Sequence, residues 1–140
     1  MAHTSMLRQW GCIDMARSIS WAKRLAVWNK TNGHCGYCGT ALDIEPSPKP
    51  NSFTVDHVVP VSRGGKHDID NLIPACRTCN GSKNTKTLSE FREWKTWKDI
   101  VVENGFSISQ LTWMLNSTNL REQFPRESVV FHFEKRGELK

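Results

Sequence analysis

The pair Asp56-His57 is followed after fourteen residues by Asn71 and after nine more by Asn80, in a stretch that also carries Cys35-Gly36-Tyr37-Cys38 and Cys76-Arg77-Thr78-Cys79. A carboxylate binds hard divalent cations, and an imidazole that titrates near neutrality can take a proton from water. Carboxamides can tie a loop together or add an oxygen to a metal's shell. These are the parts that hydrolysis of a phosphodiester requires. The cysteines do different work. Each Cys-x-x-Cys lets a tight turn aim two sulfurs at one point, and two such turns complete a tetrahedral site of the structural-zinc type. Gly36 and Gly39 supply the backbone freedom such a knuckle needs. Disulfides and free buried thiols are the competing readings. They are set aside because no secretory signal is visible, Cys12 leaves the count odd, and chance rarely produces paired knuckles. Four thiolates fill the zinc's coordination sphere, so any hydrolysis needs a second metal.

In order and spacing these residues resemble the HNH nucleases of the ββα-metal superfamily, in the branch whose core is stapled by four cysteines. The resemblance covers roughly the middle third of the chain. It implies a DNA endonuclease in which His57 is the general base and Asp56 and Asn80 hold one catalytic Mg²⁺ or Mn²⁺. Asn71 supports the finger loop and helps orient the base. The chain is expected to bend at Asp56-His57, so that two neighbouring side chains serve one site. The cation would polarise the phosphate and stabilise the departing 3′-oxygen, leaving 5′-phosphate and 3′-hydroxyl ends. The motif's final position is often histidine, and here it is Asn80, as in many members. An amide oxygen favours Mg²⁺ and Mn²⁺ over Ni²⁺ or Zn²⁺. Lys83, Arg77 and Arg63 are the expected phosphate contacts. His67, in the loop before Asn71, reads as an ordinary loop histidine, and Trp94 and Trp97 as core.

Small single-domain HNH proteins of this size are common in phages. The resemblance therefore implies a nicking enzyme of low sequence selectivity, with an accessory or packaging-associated role in the host cytoplasm. Its partners would be double-stranded DNA, a second copy for double-strand cleavage, and phage packaging machinery. The alternatives are a sequence- or modification-dependent restriction endonuclease and an inactive zinc-stapled nucleic-acid-binding module.

The elements that must position these groups can be read from pattern. Phe53-Thr54-Val55 alternates as a strand that delivers Asp56 and His57 and runs on to Pro60. Arg63 to Lys66 turns, Asn71-Leu72-Ile73 leads into the second knuckle, and a helix from about Arg77 carries Asn80 and Lys83. The fold class expected is α+β, a ββα-metal (HNH) finger stapled by a four-cysteine zinc site, with flanking helices and a short C-terminal strand. Flanking helices are expected from Asp14 to about Thr31, from Leu88 to Asn104-Gly105, and from Ser107 through Leu115, the last opened by a capping-box pattern. Glu45 to Ser52 is a proline-rich surface loop, and Ser128 to Glu134 reads as the terminal strand. One compact domain is expected: a basic helical segment at 1–33, the nuclease core at 34–87 and a helical extension at 88–140. The net charge of +5 is unevenly placed, with +4 on residues 1–34 and +4 on 77–98. Such flanks suit a surface that tracks DNA phosphates. No apolar run is long enough to span a membrane.

Overall fold

The computed structural model describes residues 19–118, 122 and 128–137. Cys12, His3 and the first residues of the expected N-terminal helix lie outside these. The centre is a two-stranded antiparallel sheet, β1 (Phe53–His57) and β2 (Leu72–Cys76), with Phe53 opposite Cys76 and His57 opposite Leu72. Helix α2 (Arg77–Lys83) leaves β2 directly at the second knuckle. Before β1 comes α1 (Trp21–Asn29), and after α2 come α3 (Leu88–Glu103), α4 (Ile108–Ser117) and α5 (His132–Arg136).

Local chemistry explains most of these limits. The Ser20 side chain accepts from the Lys23 amide, so α1 starts at Trp21 and Ile19 is not helical. Within the described residues, the helix expected from Asp14 begins only at Trp21. Gly105 at φ +82° follows the end of α3, and Ser107 and Gln110 form the capping box that opens α4. The proline-rich loop is docked: Pro50 O accepts from the Thr78 amide and Ser52 O from the Arg77 amide, satisfying donors that a helix start leaves open.

Three expectations fail here. The first strand ends at His57 and does not run on to Pro60. Strand β1 stays regular through Asp56 and His57, and the chain bends only at Val58-Val59. The terminal strand is absent: residues 128–131 have no regular structure and His132–Arg136 is helical. The alternation that suggested a strand is real, since Phe131 and Phe133 are both buried. It is achieved by a helix cap followed by the second helical residue. The Glu134 carboxylate accepts from the Phe131 amide and pairs with Arg92 of α3, while the His132 and Phe133 amides donate to Tyr37 O and Gly36 O of the first knuckle. A sequence-only alternation could not reveal those partners.

The main core is aromatic. The Tyr37 ring meets Phe91 and Phe131 edge-on, each at 5.2 Å between centroids, and Phe91 stacks on Trp94 and Phe131. Trp94 and Trp97 are both buried, as their spacing suggests. The first knuckle is thus wedged between the sheet and α3. Among the described residues, no helix is long and apolar enough to cross a membrane.

Candidate active site and sulfur cluster

The two knuckles converge. Cys35, Cys38, Cys76 and Cys79 place their sulfurs within 4.8 Å of one another, and Cys38 Sγ lies 3.9 Å from Cys76 Sγ. Zinc–sulfur bonds of about 2.3 Å at tetrahedral angles put sulfurs roughly 3.8 Å apart, so the donor set fits a zinc ion. The backbone enforces this approach. Gly36 donates to Pro74 O at 2.7 Å, and a Cβ on Gly36 would sit 2.4 Å from the Ile73 side chain. The crowded thiols compete for protons: hydrogen bonding with Cys35 drives the Cys38 thiol far down and the Cys79 thiol far up. A cation would hold all four as thiolates.

A second set of groups is brought together by strand and helix register. Alternation in β1 turns Thr54 and Asp56 to one face, and the i, i+3 spacing in α2 turns Asn80 and Lys83 to one face. The two faces meet. The Asn80 amide nitrogen donates to Thr54 Oγ1 at 3.0 Å, and that hydroxyl in turn donates to Ala75 O at 2.8 Å. This chain fixes which end of the Asn80 amide is nitrogen and leaves Oδ1 as its outward oxygen. Lys83 Nζ lies 3.1 Å from Asp56 Oδ2 and donates to His57 O at 2.7 Å. Tyr37 Oη donates to the same Asp56 oxygen at 2.5 Å. Asp56 is buried, and desolvation raises its pKa against the pull of Tyr37 and Lys83. With Oδ2 taken, Oδ1 is the oxygen Asp56 can offer to a hard cation, alongside Asn80 Oδ1. Both donors suit Mg²⁺ or Mn²⁺.

His57, the last residue of β1, makes its side-chain contact with the loop that follows. Its Nε2 lies 3.0 Å from His67 Nδ1, with the rings edge-on. Burial, followed by the charge of His67, lowers the His57 pKa. The sequence reading of His67 as an ordinary loop histidine, rather than one that orients its loop or touches substrate, does not anticipate this contact. The available signal was its place in the loop that Asn71 closes. Asn71 uses its whole amide there, accepting from the Val59 amide at 2.9 Å and donating to Val59 O and Lys66 O. Gly65 makes room for this knot, since a Cβ on it would lie 1.8 Å from Val59 O.

The expected phosphate contacts divide three ways. Lys83 is fully buried and its ammonium is held by Asp56 and His57 O, so a direct phosphate contact is ruled out in this arrangement. Arg63 is half-exposed and pairs with Glu90 of α3. Arg77 is exposed beside Asn80, and both line one cleft of about 390 Å³. Part of the basic N-terminal flank is also directed inward. Lys23 donates to His67 O, and Lys30 donates to Ile69 O and Leu72 O, bracing the loop from α1.

Residues 35–86 match the family described as HNH endonuclease. A prophage-derived relative, YoqL of the SPbeta prophage in Bacillus subtilis (strain 168), is named for the same HNH endonuclease class. It is 34% identical over 68 residues, which are 45% of this chain and 27% of the relative. The chain thus spans about a quarter of that relative's length. Among solved structures, the Type II-C Cas9 enzyme from Actinomyces naeslundii aligns with a TM-score of 0.44 at 22% identity, over 90% of this chain and 15% of that one. That likeness is too slight to bear on fold or activity.

Proposed function

We propose that this chain, an HNH endonuclease by its residues 35–86, is a metal-dependent enzyme that nicks double-stranded DNA. Residues 34–87 are the nuclease core, with a zinc staple at Cys35, Cys38, Cys76 and Cys79. The observation that carries the reading is the register that sets Thr54 and Asp56 of β1 against Asn80 and Lys83 of α2, with His57 at the strand's end.

Asp56 and Asn80 would hold one Mg²⁺ or Mn²⁺. Bound there, the cation supplies charge to polarise the scissile phosphate and stabilise the departing 3′-oxygen. Every other part of the reaction falls to side chains. His57 takes the proton from the attacking water. One of the two pairings of these rings leaves a base free: when His57 Nε2–H donates to His67 Nδ1, the lone pair is on His57 Nδ1. Asn71 keeps the loop bearing His67 closed over β1. Lys83 and Tyr37 hold the Asp56 carboxylate in one orientation. A single base and a single cation cut one strand per engagement, so supercoiled plasmid should pass through nicked circles before linear product. The prophage origin of YoqL supports a phage accessory role.

A second reading draws on the Asp56–Lys83 pair, which already neutralises the acid with an internal cation. In that reading the domain binds DNA without hydrolysing it. Plasmid cleavage with Mg²⁺ or Mn²⁺, against an EDTA control, separates the two. Wild-type protein should nick, and His57→Ala should not, with zinc content unchanged. Cleavage by His57→Ala at the wild-type rate would remove His57 from its role, and binding without metal-dependent cleavage would select the second reading.

A further inference from the structure

A groove of about 640 Å³ runs from α2 past Lys86 to α3 and α4, with Pro48 and Pro50 on its other side. It continues the cleft at Asn80, because Arg77 and Gly81 line both. Among the described residues, its charged lining is Arg77, Lys86 and Lys98, with no carboxylate. None of these three belongs to an ion pair among the described residues, whereas Arg63, Lys83 and Arg92 are all paired with acids. Trp94, largely buried, forms the floor, and the ammonium groups of Lys86 and Lys98 each lie 5.4 Å from its ring centre. An aromatic face attracts cations, so the indole holds two ammonium groups at the groove rather than offering a platform for a base. Lys86 also donates to Ser82 O at 2.9 Å, which fixes its reach along α2.

We infer that this groove seats the sugar–phosphate backbone of one DNA strand as it leaves the cleavage site, with Arg77, Lys86 and Lys98 as successive phosphate contacts. The assignment rests on DNA being the substrate and extends the expected Arg77 contact to Lys86, at the end of residues 35–86, and to Lys98 of α3, beyond them. It replaces Lys83, which is buried, with Arg77, which is exposed, and with Lys86 and Lys98, which are half-buried along the groove. Contacts of this kind read charge rather than base edges, so they add affinity without sequence preference.

Gly81 offers a steric test. A Cβ there meets no described atom within 4 Å, so side chains can be introduced into the groove without disturbing the core.

The experiment measures binding of a duplex of about 30 base pairs, long enough for several successive phosphate contacts, by fluorescence anisotropy across a salt series. All variants are made in a His57→Ala background so that cleavage does not intervene. Lys86→Gln and Lys98→Gln should each reduce the slope of log affinity against log salt by about one, equally for unrelated sequences. Lys98→Glu and Gly81→Glu should weaken binding further, while Gly81→Ala and Lys95→Gln, the latter on α3 outside the groove, keep the parent slope. Zinc content and circular dichroism confirm folding. Parent-like slopes for both lysine variants, or equal losses from Lys95→Gln, would overturn the groove assignment even if the wild-type enzyme cuts DNA. Reduced slopes with no metal-dependent cleavage by wild type would uphold the groove and sink the nuclease reading.

Discussion

The sulfur cluster and the Asp56–His57–Asn80 site lie on the same short hairpin and its helix, yet they are held in opposite ways. The four cysteines face one another, with their sulfurs close enough to share one zinc ion. The other three side chains each face protein partners of a different kind: Asp56 has Tyr37 and Lys83, His57 has His67, and Asn80 has Thr54. The first region is arranged so that a structural ion fits it. In the second, hydrogen bonds and an ion pair fix the orientation of each side chain. Tyr37 joins the two, since it sits between Cys35 and Cys38 in sequence and donates to Asp56. The staple therefore does more than stabilise: it places the group that orients the Asp56 carboxylate.

The largest effect should come from the cluster. Cys38→Ser or Cys76→Ser should release zinc and unfold the central module, because metal binding in such small domains supplies about 10–16 kcal/mol of folding free energy. Metal analysis with circular dichroism reads this directly. A cysteine variant that stays folded and metal-free would erase the distinction between the two regions.

Next in size is Lys83→Met. Removing one partner of a buried ion pair costs about 3–5 kcal/mol, because the other charge is left uncompensated. Burial already raises the Asp56 pKa, and losing the lysine should raise it further. The sign follows from linkage. An acid whose folded pKa exceeds its unfolded value imposes its full penalty above the folded pKa and none below the unfolded one. The stability gap between Lys83→Met and wild type, measured by urea titration, should therefore narrow as pH falls toward the ordinary aspartate range. A gap independent of pH would mean that Lys83 acts by packing alone.

The smallest effect concerns His67. His67→Leu should lower the single-turnover rate about 10- to 100-fold with little change in DNA binding, the usual cost of losing a partner that orients a working histidine. His67→Asn, which returns an acceptor near the position of Nδ1, should recover most of the rate. Because burial and His67 hold the His57 pKa below its ordinary value, the base stays unprotonated to lower pH than a free imidazole. The acid limb of wild-type activity should lie below about pH 6.5. In His67→Asn it should move upward, as one of the two main depressing influences is gone. Equal rates and limbs in all three proteins would make His67 a bystander.

Much of this was legible in the residues. The knuckle spacing, the strand that delivers Asp56 and His57, the start of α2 at Arg77 and the capping box at Ser107 all follow from local rules, and the structure contains each. What escaped were decisions made across the fold. Lys83 reads as a surface cation on a helix, but the register of α2 on β1 turns it onto Asp56. His67 reads as a loop histidine, but Asn71 and Lys23 fold its loop onto His57. Residues 128–134 read as a strand, but the knuckle carbonyls and Arg92 turn the segment into a helix start. Long-range partners set each outcome, and no local pattern encodes them.

The most direct test compares zinc content and Mg²⁺-dependent plasmid nicking in one preparation of Asp56→Ala. One zinc per chain with cleavage lost is the predicted result, because the acid serves the catalytic site and touches no sulfur. Loss of zinc together with cleavage, or full cleavage without Asp56, would contradict the separation of the two sites.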